Sequence, residues 1–380
     1  MRQRVVSQSI LEKMSAPAPN LFSTAQPAQF VDVGDVQVPN HYGDALKEYN
    51  ALRQSAGLFD LSFRSRICLL GADRKRFLHG QVTNNVKDLR EGQGCYAALL
   101  NAKGKMLSDL FIYNLAQEIL LDFEPGLGSK VAQRLEAYII ADDVQVADVA
   151  PHYGLLSLQG PKAAEILAAA QLGFPMPEQP RSFTGGTHAD WGEVYVMNNA
   201  RGAVAGFDLF VPSSALNNSA AYLEQLVLAS GGCICGWQSL EWVRIEAGLP
   251  RFGVDMDETN LPPEAGIEAR AISYSKGCYI GQEIISRIRT YGQVAKTLRG
   301  LRLTDDLQQL PSRGAKLFFD GKEVGHITSA IRSPGCQANI ALGYVRREHN
   351  AAETELLLDT PEGKSPARIV SLPFYRPAQD

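Results

Sequence analysis

Three stretches of the chain carry side chains suited to chemistry. The first holds Asp109, within Met106-Leu-Ser-Asp-Leu-Phe-Ile-Tyr113. If this run is a strand, the two-residue period sets Asp109 on the face of Leu107, Phe111, Tyr113 and Leu115. A carboxylate buried there alone is costly, so it needs a polar partner or a ligand. Asp208, inside Gly206-Phe-Asp-Leu-Phe-Val211, raises the same question. For either acid the structural alternative is a strand-edge residue or a cap on a neighbouring turn. The third stretch is Lys276-Gly-Cys-Tyr-Ile-Gly-Gln-Glu283. A cation two residues from Cys278 favours a thiolate. Gly277 and Gly281 permit close backbone approach, and a helix beginning near Gly281 presents N–H donors to an anion. Arg287, Arg289 and Tyr291 add charge and an aromatic surface downstream. The competing reading is a loop around a buried, inert cysteine.

Other motifs fall away on spacing. Gly126-Leu-Gly-Ser-Lys130 lacks the spacing of a phosphate loop and reads as a helix start. Cys233-Ile-Cys235 is too tight for a structural zinc pair and has no second pair. The six histidines, at 41, 79, 152, 188, 326 and 349, show no metal spacing. No Gly-x-Gly-x-x-Gly follows a strand, so a Rossmann dinucleotide site is unsupported.

The elements that must position these residues follow from hydrophobic period and turn chemistry. Residues 43–56 place Ala45, Leu46, Tyr49 and Leu52 on one helical face. A strand at Ile67–Leu70 and a short helix through Phe77 and Leu78 come next. Asn101-Ala-Lys-Gly104 then joins Cys-Tyr-Ala-Ala-Leu-Leu to the Asp109 run as a hairpin. An amphipathic helix spans 128–140, and a buried strand at 154–158 feeds a helix at 161–169. After a Pro- and Gly-rich seam at 174–186, helices are expected near 214–230 and over Trp237–Ala247. Gly248 suits the C′ position of the latter and Pro250 ends it. From Thr297 onward short strands alternate with turn residues, which reads as a small all-β barrel or sandwich. The fold class is therefore α+β.

A chain of 380 residues needs more than one core. The expected division is a flexible leader at 1–35, an α+β region at 36–295 and a β domain at 296–380. The leader is expected because residues 15–30 are small, polar and broken by proline. A formal net charge of −4 gives no global attraction to nucleic acid or an anionic membrane. Six sparse cysteines argue against a disulfide framework and for a reducing compartment. No run is long enough to span a membrane. A cytoplasmic location is expected, or the mitochondrial matrix in a eukaryote.

Several blocks resemble the glycine-cleavage T-protein superfamily. Val38-Pro39, Tyr42, Glu48, Arg53 and Gly57-Leu-Phe-Asp-Leu-Ser62 resemble its opening. Phe77-Leu-His-Gly-Gln-Val-Thr-Asn84, Ala102-Lys-Gly-Lys-Met-Leu-Ser-Asp109 and the octapeptide resemble its YgfZ branch. Leu158-Gln-Gly-Pro161 and Arg244-Ile-Glu-Ala-Gly-Leu-Pro250 continue the likeness, and Gly325-His-Ile-Thr-Ser-Ala330 with Ala341-Leu-Gly-Tyr-Val345 resembles the superfamily's C-terminal β domain. The resemblance implies three domains around a tetrahydrofolate pocket. It puts Asp109 at the catalytic aspartate and Asp208 at an acid that grips the pterin. It also makes Lys276, Tyr279 and Arg287 candidate folate contacts, with Cys278 a second catalytic candidate and no metal. Leu240 stands where T-proteins carry a folate-holding arginine, Ser108 replaces the first of an acidic pair, and Cys278 replaces an acid. These departures point to the YgfZ branch, whose members support iron–sulfur assembly or repair, with client or assembly proteins as partners. The alternative is a folate-dependent aminomethyltransferase or demethylase.

Overall fold

The hairpin around Asn101–Gly104 seeds one of the two large sheets. The computed structural model of the chain describes residues 20–202 and 204–376. Gln93–Leu100 pairs antiparallel with Met106–Asn114, with Ala98 opposite Asp109 and Tyr96 opposite Phe111. Ile119–Phe123, Ser65–Leu70 and Gln145–Asp148 extend the pair into a five-stranded sheet. Its two faces separate as alternation requires. Leu110 and Ile112 pack on Phe77, Leu78, Val131 and Leu135 of the helices Arg74–Gln81 and Gly128–Glu136. Tyr113 and Leu115 point the other way.

The second sheet has six strands, ordered Phe183–His188, Gly192–Asn198, Gly206–Pro212, Tyr153–Gln159, Gly57–Asp60 and Cys233–Ile234. Its strands come from both sides of the first sheet in sequence, so the two sheets are interleaved along the chain. Helices Ala163–Ala169 and Leu216–Ala229 cover its outer face through Ile166, Leu167, Leu223 and Val227. Its inner face meets that of the first sheet across Phe59, Tyr113, Leu155, Met197 and Phe210. Trp237, Leu240 and Val243 of the helix Trp237–Glu246 close this shared core. That helix ends as its sequence dictates. Gly248 takes φ +69°, and the amides of Gly248 and Leu249 return to the carbonyls of Ile245 and Arg244.

Lys296–Val370 forms a closed six-stranded barrel, which leaves no free edge. Leu301, Ile327, Leu358 and Ile369 fill it, while Leu298, Ile340 and Tyr344 on its outside pack against Ile245. A buried polar clamp reinforces this seam. Asp255 accepts from Arg244 at 2.5 Å and from the hydroxyls of Thr328 and Ser329 at 2.6 Å. The α+β class with a small all-β C-terminal unit is the one expected.

The leader requires correction. Residues 1–19 lie outside the described residues, but residues 20–35 already pack on the body, ahead of Val36. Phe22 is 2% exposed within the core of the six-stranded sheet. The amides of Ser23 and Thr24 each donate to the Glu224 carboxylate at 3.0 Å, and Gln29–Val33 pairs with Val36–His41. Averaged composition hid this segment because one buried aromatic, worth about 2–3 kcal/mol, anchors an otherwise polar run.

Candidate functional site

A cavity of about 450 Å³ opens where the two sheets, the helix Trp237–Glu246 and residues 198–201 and 204–205 meet. Phe111, Trp237 and Leu240 give it apolar walls, and Asp109, Glu124 and Glu241 supply carboxylates. Alternation along Met106–Asn114 turns Asp109 toward this space and Ser108 away into the sheet's other side, where Ser108 is 0% exposed.

Asp109 is held at one oxygen only. Its Oδ2 accepts from the Tyr96 hydroxyl at 2.7 Å. Its Oδ1 is buried without a partner. Burial, reinforced by the like charge of Glu124, pushes the carboxyl up to about 6, against the opposing effect of Tyr96 and Arg64. A buried acceptor without a donor is the feature that demands a ligand N–H or O–H. The hairpin register put Tyr96 within diagonal reach of Asp109. A period-two reading of Cys95–Leu100 could therefore have found Tyr96, which the sequence analysis missed.

Beneath Asp109 lies a chain of buried ion pairs that ties the two sheets together. Arg64 donates to Asp122 at 2.9 Å and to Glu124 at 2.6 Å. Arg201 bridges Asp122 at 3.0 Å and Asp208 at 2.7 Å. Burial alone would raise Asp122, but Arg64 and Arg201 outweigh it and hold the carboxyl below its ordinary value. Asp208 also accepts from Asn199 at 2.7 Å. Asp208 is thus 1% exposed behind Arg201 and Asn199, both of which line the cavity, and is not itself part of the lining. Where the resemblance implied a pterin contact, Arg201 and Asn199 stand between Asp208 and the cavity. A sequence cannot show that an arginine seven residues earlier folds back over the acid.

The octapeptide is placed elsewhere. Lys276, Cys278, Tyr279 and Arg287 are absent from the cavity lining. The Lys276 ammonium is buried and donates to the carbonyls of His79 and Val82 at 2.5 and 2.6 Å. It also sits 4.7 Å from the centre of the Tyr279 ring. Burial brings this lysine down to about 8. Gly281, at φ +85°, lies so close to the hairpin turn that a Cβ would come within 2.7 Å of the Asn101 carbonyl. The motif therefore seats the helix Gln282–Tyr291 on the Asp109 hairpin. Cys278 is exposed, and Arg287 pairs with Glu283 of its own helix at 2.6 Å. Cys278, expected as a second catalytic candidate, lies outside the cavity lining. Of the three departures Ser108, Leu240 and Cys278, only Leu240 lines the cavity. Among the described residues no cluster of three or more His, Cys, Asp or Glu is placed to hold a metal, and no helix is long and apolar enough to cross a membrane.

The chain matches the GCVT N-terminal domain over residues 22–276 and the glycine cleavage T-protein C-terminal barrel domain over residues 296–376. It is 30% identical over 349 residues to an aminomethyltransferase of Rubrobacter xylanophilus, covering 92% of this chain and 91% of that one. It is 29% identical over 357 residues to an aminomethyltransferase of Geobacillus kaustophilus, covering 93% and 96%. The crystal structure of glycine cleavage system aminomethyltransferase T from Bartonella henselae superimposes with a TM-score of 0.81 at 25% identity, over 97% of both chains.

Proposed function

The chain belongs to the glycine-cleavage T-protein family, and from that premise we propose that it is a folate-dependent one-carbon transferase of the aminomethyltransferase type. The observation that carries this reading is Asp109, a cavity carboxylate with one oxygen fixed by Tyr96 and the other left open. A reduced folate suits the site, since its pterin and amine nitrogens offer the N–H donors that the open oxygen lacks. When bound, tetrahydrofolate supplies the nitrogen nucleophiles that take up a one-carbon unit.

The chain's own residues then have distinct tasks. Phe111, Trp237 and Leu240 exclude water from the flat ring system. Asp109, raised to about 6, is mostly ionised at neutral pH yet close enough to its titration point to accept a proton and give it back. Tyr96 fixes the carboxylate so that its free oxygen faces the substrate nitrogen. Asp208 and Asp122 hold Arg201 and Asn199 in place as the polar wall.

The test supplies an aminomethylated lipoyl carrier and tetrahydrofolate and follows formation of methylenetetrahydrofolate. Turnover that depends on Asp109 supports the reading. Tight folate binding without turnover would leave a folate-binding module and sink the transferase assignment.

A second reading places the chain in the YgfZ branch, supporting iron–sulfur proteins through Cys278. The exposure of that thiol favours it. Its test is complementation of a strain lacking such a factor: rescue by the parent chain and failure of Cys278→Ser would move the assignment to this branch.

A further inference from the structure

The motif Cys233-Ile-Cys235 lies outside the lining of the Asp109 cavity, yet the fold sets its two thiols side by side. Their Sγ atoms are 3.6 Å apart. The motif closes the six-stranded sheet at its edge, where Cys233–Ile234 runs parallel to Gly57 and Leu58. The amides of Cys233 and Cys235 donate to the carbonyls of Ala56 at 3.1 Å and Leu58 at 2.9 Å. That extended path turns both side chains to one face. Cys235 is buried, and its sulfur sits so close over Gly57 that a Cβ there would collide with it. Its thiol donates to the Glu48 carbonyl at 3.7 Å. Cys233 is only half-buried, so a small oxidant reaches it first.

The pair stands at the start of the helix that walls the cavity. Gly236 follows Cys235, and its amide donates to the buried Glu48 carboxylate at 2.8 Å. Trp237 then opens the helix Trp237–Glu246, from which Trp237, Leu240, Glu241 and Arg244 line the cavity. A disulfide needs its sulfurs about 2.05 Å apart and its Cα atoms usually no more than about 6.8 Å apart. Residues two apart on a strand have Cα atoms about 6.4–6.8 Å apart, at the upper end of that span. Bringing the sulfurs together by about 1.5 Å therefore draws the end of the strand inward. It also takes the thiol donor from the Glu48 carbonyl and moves Cys235 off its seat over Gly57.

We propose that Cys233 and Cys235 form a reversible disulfide whose closure displaces the start of the helix Trp237–Glu246 and weakens folate binding. The effect on affinity rests on the folate reading; the disulfide itself does not. The chemistry is exchange with a small disulfide as oxidant. The Cys233 thiolate attacks one sulfur of the oxidant and expels its first thiol, leaving a mixed disulfide. Cys235 then gives up its proton and attacks the Cys233 sulfur, expelling the second thiol. Two electrons and the two thiol protons pass to the oxidant, which ends as two thiols. Burial, reinforced by the neighbouring Cys233, pushes the Cys235 thiol well above its ordinary value, so the second step is the slow one.

The experiment equilibrates the full chain with mixtures of reduced and oxidised glutathione. It reads the mass of the peptide holding Cys233 and Cys235, amide exchange over residues 236–240, and affinity for tetrahydrofolate. The expected result is loss of two hydrogens from that peptide, faster exchange over 236–240 and about tenfold weaker folate binding, all reversed by excess reduced glutathione. Linkage is reciprocal, so saturating tetrahydrofolate should raise the reduction potential of the pair by about 30 mV. Cys233→Ser should bind folate as the reduced parent chain does and ignore oxidised glutathione. A peptide that keeps its hydrogens, or stops at the mixed disulfide, overturns the proposal. So does a disulfide that forms with exchange or affinity unchanged, or a loss of affinity that persists in Cys233→Ser. If the disulfide forms and exchange rises but neither redox form binds a reduced folate, the folate reading falls and the affinity half of the proposal falls with it.

Discussion

Asp109 and Lys276 are both ionisable groups in partly or fully buried settings, and both lie near the hairpin Gln93–Asn114. Lys276 has its needs met. Two carbonyls accept from its ammonium and an aromatic ring covers it. Asp109 has one oxygen satisfied and one left open beside a cavity. The difference teaches how to tell a structural charge from a working one. Burial alone perturbs both groups, and only the unfilled half of the hydrogen-bond inventory points to a ligand. The octapeptide looks like the more elaborate motif in the sequence, yet its contacts are those of a pin.

The sharpest break of this comparison is at the open carboxylate. Asp109→Asn keeps the shape and the Tyr96 contact but removes the proton acceptor. Turnover is expected to fall by about 10²- to 10⁴-fold, the usual worth of a positioned acid–base group. Folding should be unharmed. A variant that retained parental turnover would reduce Asp109 to a wall residue.

Lys276→Met tests the satisfied partner. It leaves the carbonyls of His79 and Val82 without their donor, at the end of the helix Arg74–Gln81. A loss of about 2–4 kcal/mol in denaturant stability is expected, with folate affinity little changed in the folded fraction. If the variant is stable but binds folate poorly, Lys276 belongs to the site after all.

The pH dependence of stability separates the two groups again. The folded Asp109 carboxyl lies above its unfolded value, so the folded state binds more protons between about 4 and 6. Stability should therefore decline as pH rises through that window, by on the order of 3 kcal/mol from this group. Lys276 lies below its unfolded value, so its contribution is the other way. The unfolded chain holds the extra proton between about 8 and 10.4, and stability should rise with pH there. Asp109→Asn should flatten the acidic slope and leave the alkaline one. Unchanged acidic behaviour in that variant would assign the slope to other carboxylates.

The smallest effect is expected at Cys278. The side chain is exposed and outside the cavity lining, so Cys278→Ser should move stability by less than about 0.5 kcal/mol. Alkylation at neutral pH should reach Cys278 well before Cys95, whose thiol burial pushes up to about 12, or Cys68, which lies buried in a strand. Loss of folate binding on alkylation of Cys278 would return the octapeptide to the site.

Much of the frame was written in local sequence. Alternation in Met106–Asn114, the Asn101–Gly104 turn, the Gly248 helix end and the short strands after Thr297 each depend on residues near one another, and each is found in the structure. Asp109 could be picked out for the same reason, since period two alone says that an acid shares a face with Phe111 and Tyr113. The fate of the other candidates depended on distant residues. That Asp208 is satisfied from within depended on Arg201 and Asn199 reaching it. Lys276 was claimed by carbonyls at His79 and Val82, some two hundred residues away in the chain. The order of residues 20–33 turned on a single aromatic finding a core built mostly from residues beyond 150. A sequence states which groups require partners, and only the folded chain decides which of those requirements are met from within and which are left for a ligand.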